Sequence, residues 1–192
     1  PLHVDDGKIR AEPWVAQELF KRFREDKEIE LSTVEEQKRG QSVEFCGVRY
    51  TEQDDGELLD QDIYVRNKLS LLDLNLVRGK QIDDELSKEA ATIYGTTIGR
   101  LIWILPTQLR WSYEISYLSR YRAYPRVKHF RRLAQVVTQI KNDPQHIFLP
   151  RFHPGNPIKV VAIVDAGQGE EADPPLKTRD HQCVLIALTS PV

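Results

Sequence analysis

Two adjacent carboxylates near the start of the chain, in Leu2-His3-Val4-Asp5-Asp6-Gly7, have the types and spacing to do chemistry. On a tight hairpin, Asp5 and Asp6 could hold a pair of Mg²⁺ ions, which clamp the attacking and leaving oxygens of a phosphoryl transfer. The same Asp-Asp-Gly string also makes an ordinary turn, and the residues alone leave both readings open. A second candidate is cationic: Ile115 to Asn142 carries seven Lys or Arg and no Asp or Glu, in a protein of net charge −2. There Arg126, Lys128, Arg131 and Arg132 fall away from an apolar stripe of Val127, Phe130, Ala134 and Val137. That layout suits sequence-independent contact with phosphates, and a merely solvated helix face has it too. His129 among them reads as a structural hydrogen-bonding residue. Cys46 and Cys183 have no metal-ligand spacing and read as buried free thiols of a reducing compartment. Trp103, Trp111, Tyr113, Tyr117, Tyr121 and Tyr124 read as mostly core by their spacing.

The elements that must carry these residues follow from periodicity and breakers. The 192 residues, 40% hydrophobic and 29% charged, have a globular rather than a disordered composition. No apolar run reaches the ~18 residues of a membrane helix and no secretory leader is visible. Charge is lopsided: residues 1–62 hold 17 acidic and nine basic side chains, the remainder 12 and 18. Val15, Leu19 and Phe23 predict a helix over 13–27, entered at Pro13. A strand over 43–51, a turn at Asp55-Gly56 and a strand over 57–59 predict a β-hairpin, followed by a helix over 62–72. Ser87 is placed to cap a helix that Pro106 ends; two more are expected over 108–124 and 126–142. Beyond Pro144 the texture turns to β, with strands over 146–152, 158–164 (with Asp165 at its end) and 182–188.

In this order the motifs resemble the reverse transcriptases of copia-type retrotransposons. Val4-Asp5-Asp6 is similar to the end of the family's Y-V-D-D, Phe45-Cys46-Gly47-Val48 to its F-L-G-I strand, and Gln61-x-x-Tyr64 to its Q-x-x-Y. Tyr94 to Trp103 resembles Y-R-S-x-x-G-x-L-x-Y/W, and Ser112 to Ser119 resembles S-Y-A-V-S-x-L-S. Pro125 and His129 match P-x-x-x-H, and Val164-Asp165 stands where the family's ribonuclease H opens. The departures are His3 in place of the usual tyrosine and Thr107-Gln108-Leu109-Arg110 in place of T-R-P-D.

The resemblance implies an α+β fragment of a Pol polyprotein. Residues 1–75 would be the C-terminal part of the palm with its hairpin, 76–145 a helical thumb and connection, and 146–192 the first strands of a truncated ribonuclease H-like sheet. Asp5 and Asp6 would be catalytic Mg²⁺ ligands of the polymerase and Asp165 the first metal ligand of the ribonuclease H. Phe45 and Gly47 would belong to the hairpin that grips the primer terminus, and Arg126, Lys128, Arg131 and Arg132 would contact an RNA–DNA or DNA duplex. The implied parent activity is RNA-directed DNA synthesis inside the cell, with the rest of the polyprotein as partner and no membrane. The absence of methionine and the opening directly on a motif are expected of a piece lacking complete active sites. A domesticated, non-catalytic nucleic-acid-binding module and a decayed reading frame are the alternatives.

Overall fold

The computed structural model describes residues 2–3, 6–9, 11–26, 34–151, 159–167 and 181–189, with the backbone alone in the strands at 2–3, 6–7, 159–167 and 181–189. It is a mixed α+β structure in two compact units, Pro1–Leu149 and Pro150–Val192.

In the first unit, β1 (Leu2–His3) and β2 (Asp6–Gly7) pair antiparallel, His3 opposite Asp6. Helix α1 (Pro13–Glu25) starts on its proline, whose missing N–H costs nothing at that position. Its apolar stripe forms as the spacing requires, yet none of its residues is buried. The main sheet runs in the order β3 (Ser42–Phe45), β4 (Val48–Gln53), β5 (Gly56–Asp60), β6 (Ile147–Pro150). Residues 43–51 are therefore not one strand. The chain reverses at Cys46-Gly47, where both residues have positive φ, 51° and 71°, the backbone of a tight two-residue hairpin turn. Cysteine rarely adopts that conformation, so sequence pattern gave no warning, and Cys46 is exposed at the turn rather than buried. The second turn is Asp54-Asp55, one residue earlier than expected, with Gly56 already paired opposite Gln53. A Cβ on Gly56 would stand 2.2 Å from the Leu149 carbonyl oxygen, so only glycine lets β6 approach β5. β6, expected as the first strand of the last module, is thus the fourth strand of this sheet.

Helices α2 (Asp62–Lys68), α3 (Lys88–Ile104), α4 (Ser112–Arg120) and α5 (Val127–Asn142) build the core. Ser87 Oγ accepts the Ala90 N–H at 3.3 Å, the cap its position predicts. The helix expected over 108–124 is a short 3₁₀ turn at Leu109–Trp111 followed by α4. Tyr94, Ile98, Leu101 and Ile104 of α3 meet Ile115 and Leu118 of α4 and Phe130, Leu133, Val137 and Ile140 of α5, all essentially without solvent exposure. Tyr94 Oη donates to the Leu118 carbonyl at 2.6 Å, satisfying one of the acceptors a helix end leaves open. Lys141 does the same for α2, its Nζ donating to the carbonyls of Val65, Arg66 and Leu69 at 3.3, 3.4 and 2.6 Å.

In the second unit, β7 (Lys159–Gly167) and β8 (His181–Thr189) pair antiparallel over their full lengths. Asp165 lies opposite Cys183 and two residues inside the end of β7, not at a strand terminus.

Candidate nucleic-acid interface

Three motif segments converge where the β3–β4 turn meets the C-terminal end of α3. Phe45 and Val48 flank the turn and are buried. Between them Gly47 faces the Trp103 indole so closely that a Cβ there would stand 3.0 Å from Nε1. The Tyr64 and Trp103 rings lie 6.5 Å apart. Beneath them Gln61, only 2% exposed, donates from Nε2 to the Trp103 carbonyl at 3.3 Å and accepts the Thr107 hydroxyl at 2.9 Å. Gln108, fully buried, donates to the Gln145 carbonyl and accepts the Gln145 N–H, both at 3.1 Å. Every one of these buried amides has its partner, which is what makes their burial tolerable. The Thr-Gln-Leu-Arg departure therefore has a physical role, since Gln108 ties the end of α3 to the entry of β6. This junction positions the hairpin.

Beside it lies a cleft of about 160 Å³ lined by Glu44, Gly47, Arg49, Asp60, Gln61 and Tyr64, among others. Two of its charges are matched to each other. Arg49 grips the buried Asp60 carboxylate through Nε at 2.9 Å and Nη2 at 2.8 Å. This bidentate bond, ahead of the nearby carboxylate charges, raises the guanidinium pKa. Asp62 stands 3.9 Å from Arg49 and takes His146 Nε2 at 3.0 and 3.1 Å.

The four expected phosphate-binding cations share the first turns of α5, and the apolar stripe opposite them is buried as predicted. All four are engaged by their own chain. Lys128 Nζ is 3.1 Å and Arg126 Nη1 3.9 Å from Asp83 Oδ1. Arg132 donates from Nε to Glu114 Oε2 at 3.1 Å and makes a second contact to Oε1, a pairing that raises its pKa. Arg131 reaches the Lys80 carbonyl at 3.4 Å. The N–H groups of Val127 and Lys128 go to the carbonyls of Asp84 and Ile82, at 3.0 and 2.9 Å. His129 is structural as expected: it is 3% exposed, takes the Arg126 N–H on Nδ1 at 3.1 Å, and stacks on Tyr121 at 3.8 Å between centroids.

These cations sit against the segment that leads into α3, and Phe45 and Gly47 sit against its other end. At 1.5 Å per residue the 17-residue helix separates them by roughly 25 Å, so the two candidate groups are not one site. Of the aspartates, Asp5 and the side chains of Asp6 and Asp165 lie outside the described residues. The backbone register alone places Asp6 on a tight hairpin, as a carboxylate pair for Mg²⁺ would require. Among the described residues no group of three or more His, Cys, Asp or Glu side chains could hold a metal ion, and no helix is long and apolar enough to cross a membrane.

Sequence spacing missed one feature. Tyr113 is 72% exposed, Tyr124 63% and Trp103 47%, so half of the aromatics expected in the core face outward. Trp103 lies on α3, Tyr113 on α4 and Tyr124 in the loop before α5, so the spacing within one helix could not tell which of them the fold covers. Compared with protein-family models, with curated proteins and with solved structures, the chain matches none of them.

Proposed function

We propose that this chain is part of a copia-type retrotransposon Pol polyprotein, intracellular, and that its role in that setting is to hold a template–primer duplex. Residues 1–75 would be palm, 76–145 thumb and connection, and, because β6 joins the main sheet, only residues 151–192 would start a ribonuclease H-like fold. One observation carries the reading: Gly47, Gln61 and Trp103, drawn from three separate motif segments, meet at one junction. Chance similarities scattered along a chain have no reason to converge, whereas parts of one inherited architecture do. If Asp5 and Asp6 bind Mg²⁺, the metal would supply charge stabilisation at the reacting phosphoryl group. The chain's own part would be to present the carboxylates on the β1–β2 hairpin.

Arg126, Lys128, Arg131 and Arg132 remain the proposed duplex contacts, now as exchangeable ones. Exposed ion pairs such as Lys128–Asp83 are worth only about 0–1 kcal/mol, so a phosphate can replace the carboxylate at little cost. Fluorescence anisotropy with a labelled RNA–DNA duplex tests this. Four phosphate contacts predict a log–log salt slope of roughly −3 to −4, and Lys128→Ala with Arg131→Ala should flatten it by about 1 to 2 units. Salt-independent binding, or a double variant equal to the parent, would remove these residues from the interface.

A further inference from the structure

The cations of α5 are occupied by their own chain, but the outer face of α4 is built differently. Tyr113 and Tyr117 lie one helical turn apart with ring centroids 6.5 Å apart and planes at 17°. Tyr117 is half-buried and meets Tyr121 edge-on at 5.2 Å, and Tyr121 stacks on the buried His129. The ladder is thus anchored in the core, while its outermost ring, Tyr113, is 72% exposed. At the end of the same helix the Arg120 guanidinium stands 5.9 Å from the Tyr117 ring, its Nε buried with no hydrogen-bond partner. Arg122 lies over Gly95 of α3, its Nε 3.6 Å from where a Cβ would stand. Among the described residues neither Arg120 nor Arg122 forms an ion pair.

We infer that this face of α4 is a stacking platform for single-stranded nucleic acid. An exposed phenol ring held in place by a second ring offers a base a π-face with little side-chain entropy left to lose. Two arginines without carboxylate partners, at the start of a stretch with seven cations and no Asp or Glu, supply the counter-charge for a phosphate backbone. A duplex keeps its base faces covered by neighbouring pairs, so the ladder selects an unpaired strand. The one carboxylate of α4, Glu114, is taken by Arg132, which leaves Arg120 and Arg122 to an anionic partner and favours nucleic acid over a protein surface. The inference deepens the duplex-binding reading and rests on it only for the class of partner, because it uses different residues on a different helix.

The test is an anisotropy titration of the full chain with labelled oligo-dT and with a labelled duplex, for the parent and four variants. Tyr113→Ala should weaken single-strand binding about tenfold, and Tyr113→Phe, which keeps the ring, should retain it. Arg122→Ala should flatten the single-strand salt slope by about 0.7 units. Duplex affinity should be unchanged in Tyr113→Ala and lowered only by Lys128→Ala with Arg131→Ala. Tyr113 is exposed, so its variants should melt with the parent, and a coincident circular-dichroism melt confirms that binding is compared between folded proteins. Loss of single-strand binding in Tyr113→Ala, with the α5 variant binding duplex normally, would sink the duplex contacts and leave the platform standing. No single-strand binding by the parent, or equal binding by Tyr113→Ala, overturns the platform. Self-association abolished by Tyr113→Ala without oligonucleotide binding would also overturn it, in favour of a protein contact.

Discussion

Helices α1 and α5 carry the same kind of amphipathic pattern and meet opposite fates. On α5, Val127, Phe130, Leu133, Val137 and Ile140 are all without exposure; on α1, Val15, Leu19, Phe20 and Phe23 form an equivalent stripe and no residue is buried. Periodicity specifies which face of a helix is apolar. It does not specify a surface to cover that face, and the greater part of a helix's stability in a protein comes from that covering. What separates α5 is its company. Its N-terminal N–H groups are taken by the segment at 82–84, its cations by Asp83 and Glu114, and its last turn is joined to α2 through Lys141.

The sharpest test of this contrast is a pair of truncations. Phe130→Ala should cost about 3–5 kcal/mol in urea unfolding, by lost transfer energy plus the cavity left behind. Val15→Ala should stay within about 0.5 kcal/mol, as surface substitutions do. A loss of 2 kcal/mol or more from Val15→Ala would mean that the α1 stripe is covered after all.

A smaller effect is expected at Tyr94, where Phe removes the hydroxyl that reaches Leu118 and should cost about 1 kcal/mol at neutral pH. Burial, ahead of the nearby tyrosines, pushes the Tyr94 phenol well above the ordinary value near 10. The folded state therefore keeps a proton that the unfolded state releases. The stability this gives is fully present below about pH 10 and is lost as pH rises from there toward the folded pKa. Tyr94→Phe should flatten that alkaline decline, measured as denaturant midpoints against pH, and an unchanged slope would place the titration elsewhere.

Gly99 marks the uncovered side of α3, with no atom near where its Cβ would stand. Gly99→Ala should raise the melting temperature through a gain of about 0.5–1 kcal/mol, because alanine loses less backbone entropy in a helix. Destabilisation would mean that a neighbour covers that face. The smallest effect belongs to Asp83→Asn, which removes a carboxylate from Arg126 and Lys128. Stability should move by less than about 0.5 kcal/mol while duplex affinity rises, and weaker binding would show that Asp83 holds those cations in their working positions.

Much of the helical unit could be read from the chain directly. The cap at Ser87, the stop at Pro106 and the stripe of α5 are local signals, each decided by residues within a few positions of one another. The Asp54-Asp55 hairpin was visible to within a residue for the same reason. The Cys46-Gly47 turn was not, because a continuous strand-like composition runs through it and a cysteine at positive φ has no sequence signature. The roles of the candidate residues were the least visible. Whether a cation is spare depends on what lies across the fold, and Arg132 finds Glu114 18 positions away and Lys141 finds Leu69 72 positions away. Sequence by itself determined where the longest helices lie, which of their faces are apolar and where the charge collects. Only the tertiary structure decided that β6 joins the main sheet, that Tyr113 stands in solvent and that the cations of α5 are engaged. Each of those outcomes is a pairing between distant segments, and local pattern carries no information about which distant partner arrives.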